Sequence, residues 1–387
     1  MPLTLYWLAF GMFALGTESL LVAGLLPAIA GEYGITLSAA GHLLTFFAIT
    51  YAVGAPIMAT VTARFDRRKV LLVSLGVFTL SNTAAAFTTN YEILLALRVC
   101  MAIFACLYAP SAMALGNALA PPDKRGRAIS IIAAGLTVAS AFGVPFGTQI
   151  GNMFGWRASF LAVAGLGLIA FVAVFVGIKR TPPPPALSLR ARLLPLTLPI
   201  VRYGLAVTVV WSTGIFVLFA YLASYFADLG ISGGAYAGVL LLFGCSAFVG
   251  NLFGGWSTDK LGTMPTMRNA LLMAIPVLLA FSLVPYFPSV AWIAVPLVAL
   301  WSPTGYSLWP ARQSEMIAMA PESAALLLGL NTSAFYTGMA AGSAIGSLVV
   351  AHQPPSSLGF VAALIEAAAL GLLAMEWRKG RKRLTAA

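Results

Sequence analysis

Of 387 residues, 60% are hydrophobic and only 9% are charged, whereas a soluble domain of this length carries roughly a quarter charged residues. Apolar stretches of about twenty residues recur along the whole chain, each able to cross a hydrocarbon core of ~30 Å as a helix. The sequence lacks the period-2 alternation of a membrane β-barrel, so it reads as an all-α polytopic membrane protein with twelve transmembrane helices.

In chain order the expected spans lie near 5–27, 40–62, 69–87, 93–116, 128–151, 158–178, 202–226, 235–257, 268–286, 290–313, 325–350 and 357–376. The first Lys or Arg is Arg64, so the first apolar stretch has no basic leader region and reads as a retained span. The net charge of +11 does not point to nucleic acid once its placement is traced. Basic residues fall in alternate connections: Arg64, Arg67, Arg68 and Lys69; Lys124, Arg125 and Arg127; the run from Lys179 to Arg202; Lys260 and Arg268; and the tail. The opposite connections hold Glu32, Glu92 and Asp228, with Arg157 the one basic exception. Positive charge favours the cytoplasmic side, so both termini are expected there, in a bacterial-type inner membrane. The cysteines Cys100, Cys106 and Cys245 all lie in apolar runs and read as small buried hydrophobes, not as metal ligands or disulfides.

The four consecutive prolines in "KRTPPPPALSLRARLLPLTLP" forbid a continuous helix. They divide the chain into a six-helix bundle over 1–178, a linker over 179–201, a second six-helix bundle over 202–377 and a basic tail over 378–387. The two halves repeat one plan. "LYAPSAMALGNALAP" (107–121) matches "SLWPARQSEMIAMAP" (307–321), and "GVPFGTQIG" (143–151) matches "GMAAGSAIG" (338–346). Val53–Gly54 matches Val249–Gly250 just before two polar hinges, "ATVTARFDRRK" (59–69) and "GGWSTDKLG" (254–262). The offsets of 200, 195 and 196 are nearly constant, which marks a duplication. Duplicated halves leave a central cavity that rocking opens to alternate sides. The spaced glycines suit a rocking interface between helices and equally suit static packing.

These residues resemble the major facilitator superfamily, in its twelve-helix drug:proton antiporter branch. The family's hinge motif is G-x-L-A-D-R-x-G-R-R, and the second hinge keeps Gly255, Asp259, Lys260 and Gly262. The resemblance implies that Asp259 caps a neighbouring helix across the half interface and latches an outward-facing state. In the first hinge the Asp position is Ala63, while Arg64 and Arg67 keep basic slots. Asp66, three residues on, substitutes only with a different loop geometry. "GLTVASAFGVPFGTQIG" (135–151), with Gly143, Pro145 and Gly147, resembles the family's antiporter motif. "GTESLLVAGLLPAIA" and "AGHLLTFFAITYAVGAP" are similar to the opening of bacterial exporters in this branch. "LWPARQSEMIAMAPESA" and "LNTSAFYTGMAAGSAIG" are similar to purine base and nucleoside efflux pumps, and sugar-efflux and chloramphenicol-type exporters share the first-half segments. The resemblance implies proton-coupled export of small molecules by a monomer without cofactor or metal.

Proton coupling needs an acid within the membrane, and Glu18 and Glu366 alone lie well inside the expected spans. Glu18, about thirteen residues and hence ~20 Å along the first span, is the expected proton site. Glu366 reads first as a structural acid. Arg98, in "LALRVCMAIFA", either pairs with Glu18 or snorkels to the nearby surface, and the family position favours pairing. Tyr108, Trp211, Tyr221, Trp309, Asn331, Phe335 and Tyr336 are candidate solute contacts, each with helix packing as the plain alternative. Arg312 and Gln313 are candidate gate residues. A membrane enzyme lacks its parts, since the chain has two histidines, no HExxH and no Walker A sequence. A non-coupled facilitator, an importer and a sensor on the same fold remain the alternatives to export.

Overall fold

The computed structural model describes residues 3–62, 65–121, 125–178, 198–287, 292–319 and 324–384. Every element formed by these residues is helical. The linker expected at 179–201 falls outside them except for its last four residues, and Arg64 and Ala63 also lie outside.

The first half comprises α1 (Thr4–Tyr33), α2 (Leu37–Val61), α3 (Arg67–Phe87), α4 (Tyr91–Leu119), α5 (Arg125–Val138), α6 (Val144–Phe154) and α7 (Trp156–Gly177). A π-helical turn, Ala139–Gly143, joins α5 to α6, so the two make one span. The second half comprises α8 (Pro199–Phe219), α9 (Leu222–Asp228), α10 (Gly233–Leu261), α11 (Thr263–Leu283), α12 (Ala294–Met319), α13 (Ala324–His352) and α14 (Ser357–Leu384). Here α8 and α9 make one span, broken at Ala220–Tyr221. Eleven spans among the described residues are long and apolar enough to cross a membrane. The twelfth, α12, is of similar length but carries Pro303, Pro310, Arg312 and Glu315.

Local chemistry sets the ends of these helices. Asn90 accepts from the backbone N–H of Glu92 at 2.7 Å and of Ile93 at 3.2 Å, which starts α4. Asp66 accepts from the Arg68 N–H at 2.9 Å and starts α3. The tight turn from α10 to α11 needs Gly262, whose φ of +93° is disfavoured for any residue with a Cβ. On the side expected to be acidic, Arg157 is neutralised by the Glu32 carboxylate and also donates to the Thr88 carbonyl at 2.9 Å. The basic exception to the charge pattern is therefore a paired one.

The duplication is repeated in three dimensions. The stripe Gly143, Gly147 and Gly151 packs on Thr17, Leu21 and Leu25 of α1. The stripe Gly338, Gly342 and Gly346 packs on Ser212, Phe216 and Tyr221 of the span formed by α8 and α9. A methyl group at Gly143 would overlap the Thr17 hydroxyl, and one at Gly338 would overlap the Ser212 hydroxyl. The partners Thr17 and Ser212 keep the same spacing as the glycines themselves. Both stripes lie within a half, so close backbone approach holds each bundle together. Of the two readings offered for the glycines, this placement supports packing within each half.

The halves meet where α2 lies on α13 and where α6 lies on α10. Their hydrogen bonds cluster at the end of the molecule that carries Tyr33. Ser38 and Ser347 share a bond of 2.6 Å, and Asn152 donates to the Gly233 carbonyl at 2.9 Å. Deeper in, the Tyr306 hydroxyl donates to the Ser140 hydroxyl at 3.0 Å, on the π turn. Gly244 of α10 sits against the backbone of Ser140 and Ala141 there. The π turn thus presents irregular backbone to the opposite half. Pro145 follows it, where a missing N–H removes the bond that would hold regular α register.

Candidate functional site

Glu18 and Arg98 form an ion pair between α1 and α4, with side chains 1% and 0% exposed. Burying two charges is costly unless they pair and find further polar contacts. Arg98 meets that requirement in part, since its Nε donates to the Leu43 carbonyl of α2 at 3.2 Å. Its guanidinium also lies 4.3 Å from the centroid of the Phe47 ring, a cation–π contact. The surface-seeking alternative for Arg98 is thereby set aside. One oxygen of the pair, Glu18 Oε2, and one nitrogen, Arg98 Nη2, have no hydrogen-bond partner among the described residues. The pair thus has spare capacity facing inward.

What it faces is the opposite half. Tyr336 of α13 has electrostatic contact with Arg98 and reaches the side chains of Ser19 and Tyr51. The rings of Tyr51 and Tyr336 stack with centroids 3.7 Å apart and planes at 20°. A small gap beside them is lined by Met12, Ser19, Phe47, Tyr51, Leu136 and Tyr336. Tyr336 also touches Phe335, with centroids 5.8 Å apart. Phe335 packs edge-on to Trp309 at 5.1 Å and lies 5.9 Å from Trp211. Trp211 and Trp309 stack at 6.1 Å. Four of the seven expected solute contacts therefore form one aromatic wall, and Tyr336 joins it to the charge pair.

The other three are placed differently. Tyr108 is fully buried within the first half, where its hydroxyl donates to the Leu8 carbonyl at 3.1 Å and its ring fills the notch at Gly11. Its ring and hydroxyl are taken up by packing of α4 on α1, which corrects the reading of it as a cavity residue. Tyr221 sits at the break between α8 and α9, donates to the Ser343 carbonyl at 3.2 Å, and presses against Gly41 of α2. It belongs to the closure at the Tyr33 end. Asn331 accepts from the Thr208 hydroxyl at 2.7 Å, while its Nδ2 is buried without a partner. It therefore retains an unused donor among the described residues.

The hinge residues also divide. Asp66 caps its own helix, accepting from the Arg68 N–H. Arg67 opens α3, and the neighbouring Arg68 donates to the Phe175 carbonyl at 2.7 Å. Asp259 and Lys260 are exposed in the last turn of α10, and Gly255 faces open space. Asp259 takes no hydrogen bond or ion pair among the described residues. Arg312, a candidate gate residue, is instead locked in a bidentate pair with Glu376 at 2.8 and 3.0 Å, both fully buried. The expected last span stopped at 376, whereas α14 runs on to Leu384 and brings Glu376 inside.

The family model for the Major Facilitator Superfamily matches residues 8–343. The chain belongs to that superfamily. An MFS-type transporter of Bacillus subtilis, YbcL, is 36% identical over 93% of this chain and 92% of its own length. A chloramphenicol resistance protein of Streptomyces lividans is 31% identical over 91% and 90%. The inner membrane transport protein YdhP of Escherichia coli K12 is 29% identical over 96% and 95%. Among solved structures, a D-xylose-proton symporter superposes with a TM-score of 0.79 at 17% identity, over 95% of this chain and 96% of that one. A bacterial homolog of the lysosomal transporter Spinster, inward-facing and occupied, superposes with a TM-score of 0.78 at 16% identity, over 97% and 96%. These two share the fold. Together the matches make this chain a multi-pass membrane protein of a transporter family.

Sequence reasoning singled out Glu18 and Arg98 because charge inside an apolar run stands out, and the two are paired. It missed Phe47, Tyr51 and Ser19, which complete the site from α2 and α1. An aromatic or a serine in an apolar helix gives no signal until a neighbouring helix shows which face it occupies.

Proposed function

We propose that the chain is a proton-coupled antiporter that exports small, partly aromatic solutes from the bacterial cytoplasm across the inner membrane. One observation carries this reading: Tyr336 feels the charge of Arg98 and reaches Ser19 and Tyr51 in the first half, while its ring meets the aromatic wall in the second. A proton on Glu18 removes the negative charge that holds Arg98. The freed guanidinium then shifts its interaction toward the faces of Phe47 and Tyr336. A solute stacked on Trp309, Phe335 and Tyr336 competes for the same ring. Proton and solute thus act on one cross-half contact from opposite sides, as exchange requires.

The alternating placement of basic residues supports putting the Asp66 end, and both termini, in the cytoplasm. On that reading the bonds Ser38–Ser347 and Asn152–Gly233 close the outer side, and the state described is inward-facing. Asp259, exposed and without a partner among the described residues, fits it as the released latch of the outward-facing state. The chloramphenicol resistance relative supports efflux over import. The test is reconstitution of the full chain in liposomes with an imposed pH gradient, using chloramphenicol, purine bases, nucleosides and pentoses as probes. At least one probe should accumulate against its own gradient on the side from which protons leave. Accumulation in the direction of proton flow would make the protein a symporter, and movement indifferent to the pH gradient would make it a facilitator.

A further inference from the structure

The second half hides a carboxyl that the exchange mechanism above does not use. Glu366 of α14 is 1% exposed, and its Oε2 has no hydrogen-bond partner among the described residues. The carboxyl occupies a notch left by Gly214 of α8, where an added methyl would press on Oε1. Around it stand Trp211, Ile215, Ala270, Trp301 and Thr304, and the space between them has no room for a water molecule. Thr304 spends its hydroxyl on the Trp301 carbonyl at 2.5 Å.

Among the described residues no other titratable group lines this gap. On the span of α8 and α9, Arg202 is exposed at one end, while Tyr221 and Tyr225 donate to the Ser343 and Phe281 carbonyls near the other. On α11, Arg268 is exposed and bonds Asn269. On α12, Tyr306 bonds Ser140, Arg312 bonds Glu376 and Glu315 bonds Thr263. An ionised Glu366 would therefore be a buried charge with no cation lining its gap and, at Oε2, no donor among the described residues, which is a costly state for a carboxyl. A carboxyl serving only to tie helices together would have its oxygens hydrogen-bonded. The gap is too small for a metal with its ligands or for an organic cation, which leaves the proton as the ligand.

One wall of the gap is shared with the aromatic wall of the candidate solute site. Trp211 lines it on one face and, on the other, stacks on Trp309 and meets Phe335 at a tilt. We propose that Glu366 is a second proton-binding site, loaded in the conformation described here and unloaded when Trp211 moves and admits water. The inference extends the antiport reading, but it is tested without any solute, so the two fail separately.

The experiment is infrared difference spectroscopy on the purified full-length protein in lipid nanodiscs, stepped from neutral to alkaline buffer. The wild type should show a protonated-carboxyl C=O band that is lost in alkali. Glu366→Gln should lack that band, Glu18→Gln should keep it, and Glu366→Asp should shift its frequency while preserving the fold. Trp211→Ala should move its loss to lower pH by opening the gap to water. Identical spectra for wild type and Glu366→Gln would overturn the site. A band that survives in alkali until the protein unfolds would make Glu366 a permanent acid and overturn it equally. An unchanged titration in Trp211→Ala would overturn the role of the wall.

Discussion

The two halves share a scaffold and differ in what they mount on it. Gly143 packs on Thr17 and Gly338 packs on Ser212, at a constant offset of 195 residues in both chain partners. One residue further on, the first half has Glu18 and the second has Thr213, which merely returns its hydroxyl to the Val209 carbonyl at 2.7 Å. Where the first half places a charge pair, the second places Trp211, Trp309 and Phe335. Duplication has therefore kept the packing contacts that any six-helix bundle needs and left the interior faces free to diverge. Beside Tyr336 the first half presents the Glu18–Arg98 pair and the second presents the aromatic wall, although the second half also buries Glu366 and the Arg312–Glu376 pair.

The largest expected effect breaks that asymmetry directly. Arg98→Ala strands a buried carboxylate and should cost about 3–5 kcal/mol. Thr213→Ala, at the place matching Glu18, should cost under ~1.5 kcal/mol, the worth of a neutral hydrogen bond. Thermal unfolding of the purified variants measures both. Equal losses would mean that the pair is not the special feature of the first half.

The next effect concerns what the halves share. Gly143→Ala and Gly338→Ala should each cost roughly 1–3 kcal/mol by overpacking, and by similar amounts, because the stripes meet equivalent partners. A large difference in melting temperature between them would contradict the equivalence of the scaffolds. The smallest effect separates the hinges. Asp66→Ala removes an N-cap and should cost ~1 kcal/mol. Asp259→Ala, exposed and unpaired here, should lie within about ±0.5 kcal/mol. A cost at Asp259 equal to that at Asp66 would show that the second hinge is engaged in the resting state.

Much of the fold was legible because membrane burial writes itself into composition. Apolar run lengths located the spans, and the matched "GVPFGTQIG" and "GMAAGSAIG" exposed the duplication. Glu18 and Arg98 were legible for the same reason, since charge in hydrocarbon demands a partner. The glycine stripes were visible, but their partners were not, because a glycine shows that something comes close without saying what. Tyr108, Tyr221 and Trp211 look alike in sequence, each an aromatic in an apolar run. Only the packing of α1 on α4 consigns the first to the core, and only the break at Ala220–Tyr221 turns the second toward closure. Glu376 was read as the boundary of the last span because the basic tail begins just beyond it. Its burial against Arg312 became visible only when α14 was seen to continue.

The central claim is that protonation of Glu18 couples proton flow to solute movement through Arg98 and Tyr336. Glu18→Gln mimics the protonated acid, so transport of one probe should be compared in liposomes with and without a pH gradient. The variant should keep solute-for-solute exchange at equal pH and lose the extra accumulation that the gradient drives in the wild type. Gradient-driven accumulation undiminished in Glu18→Gln would contradict the account.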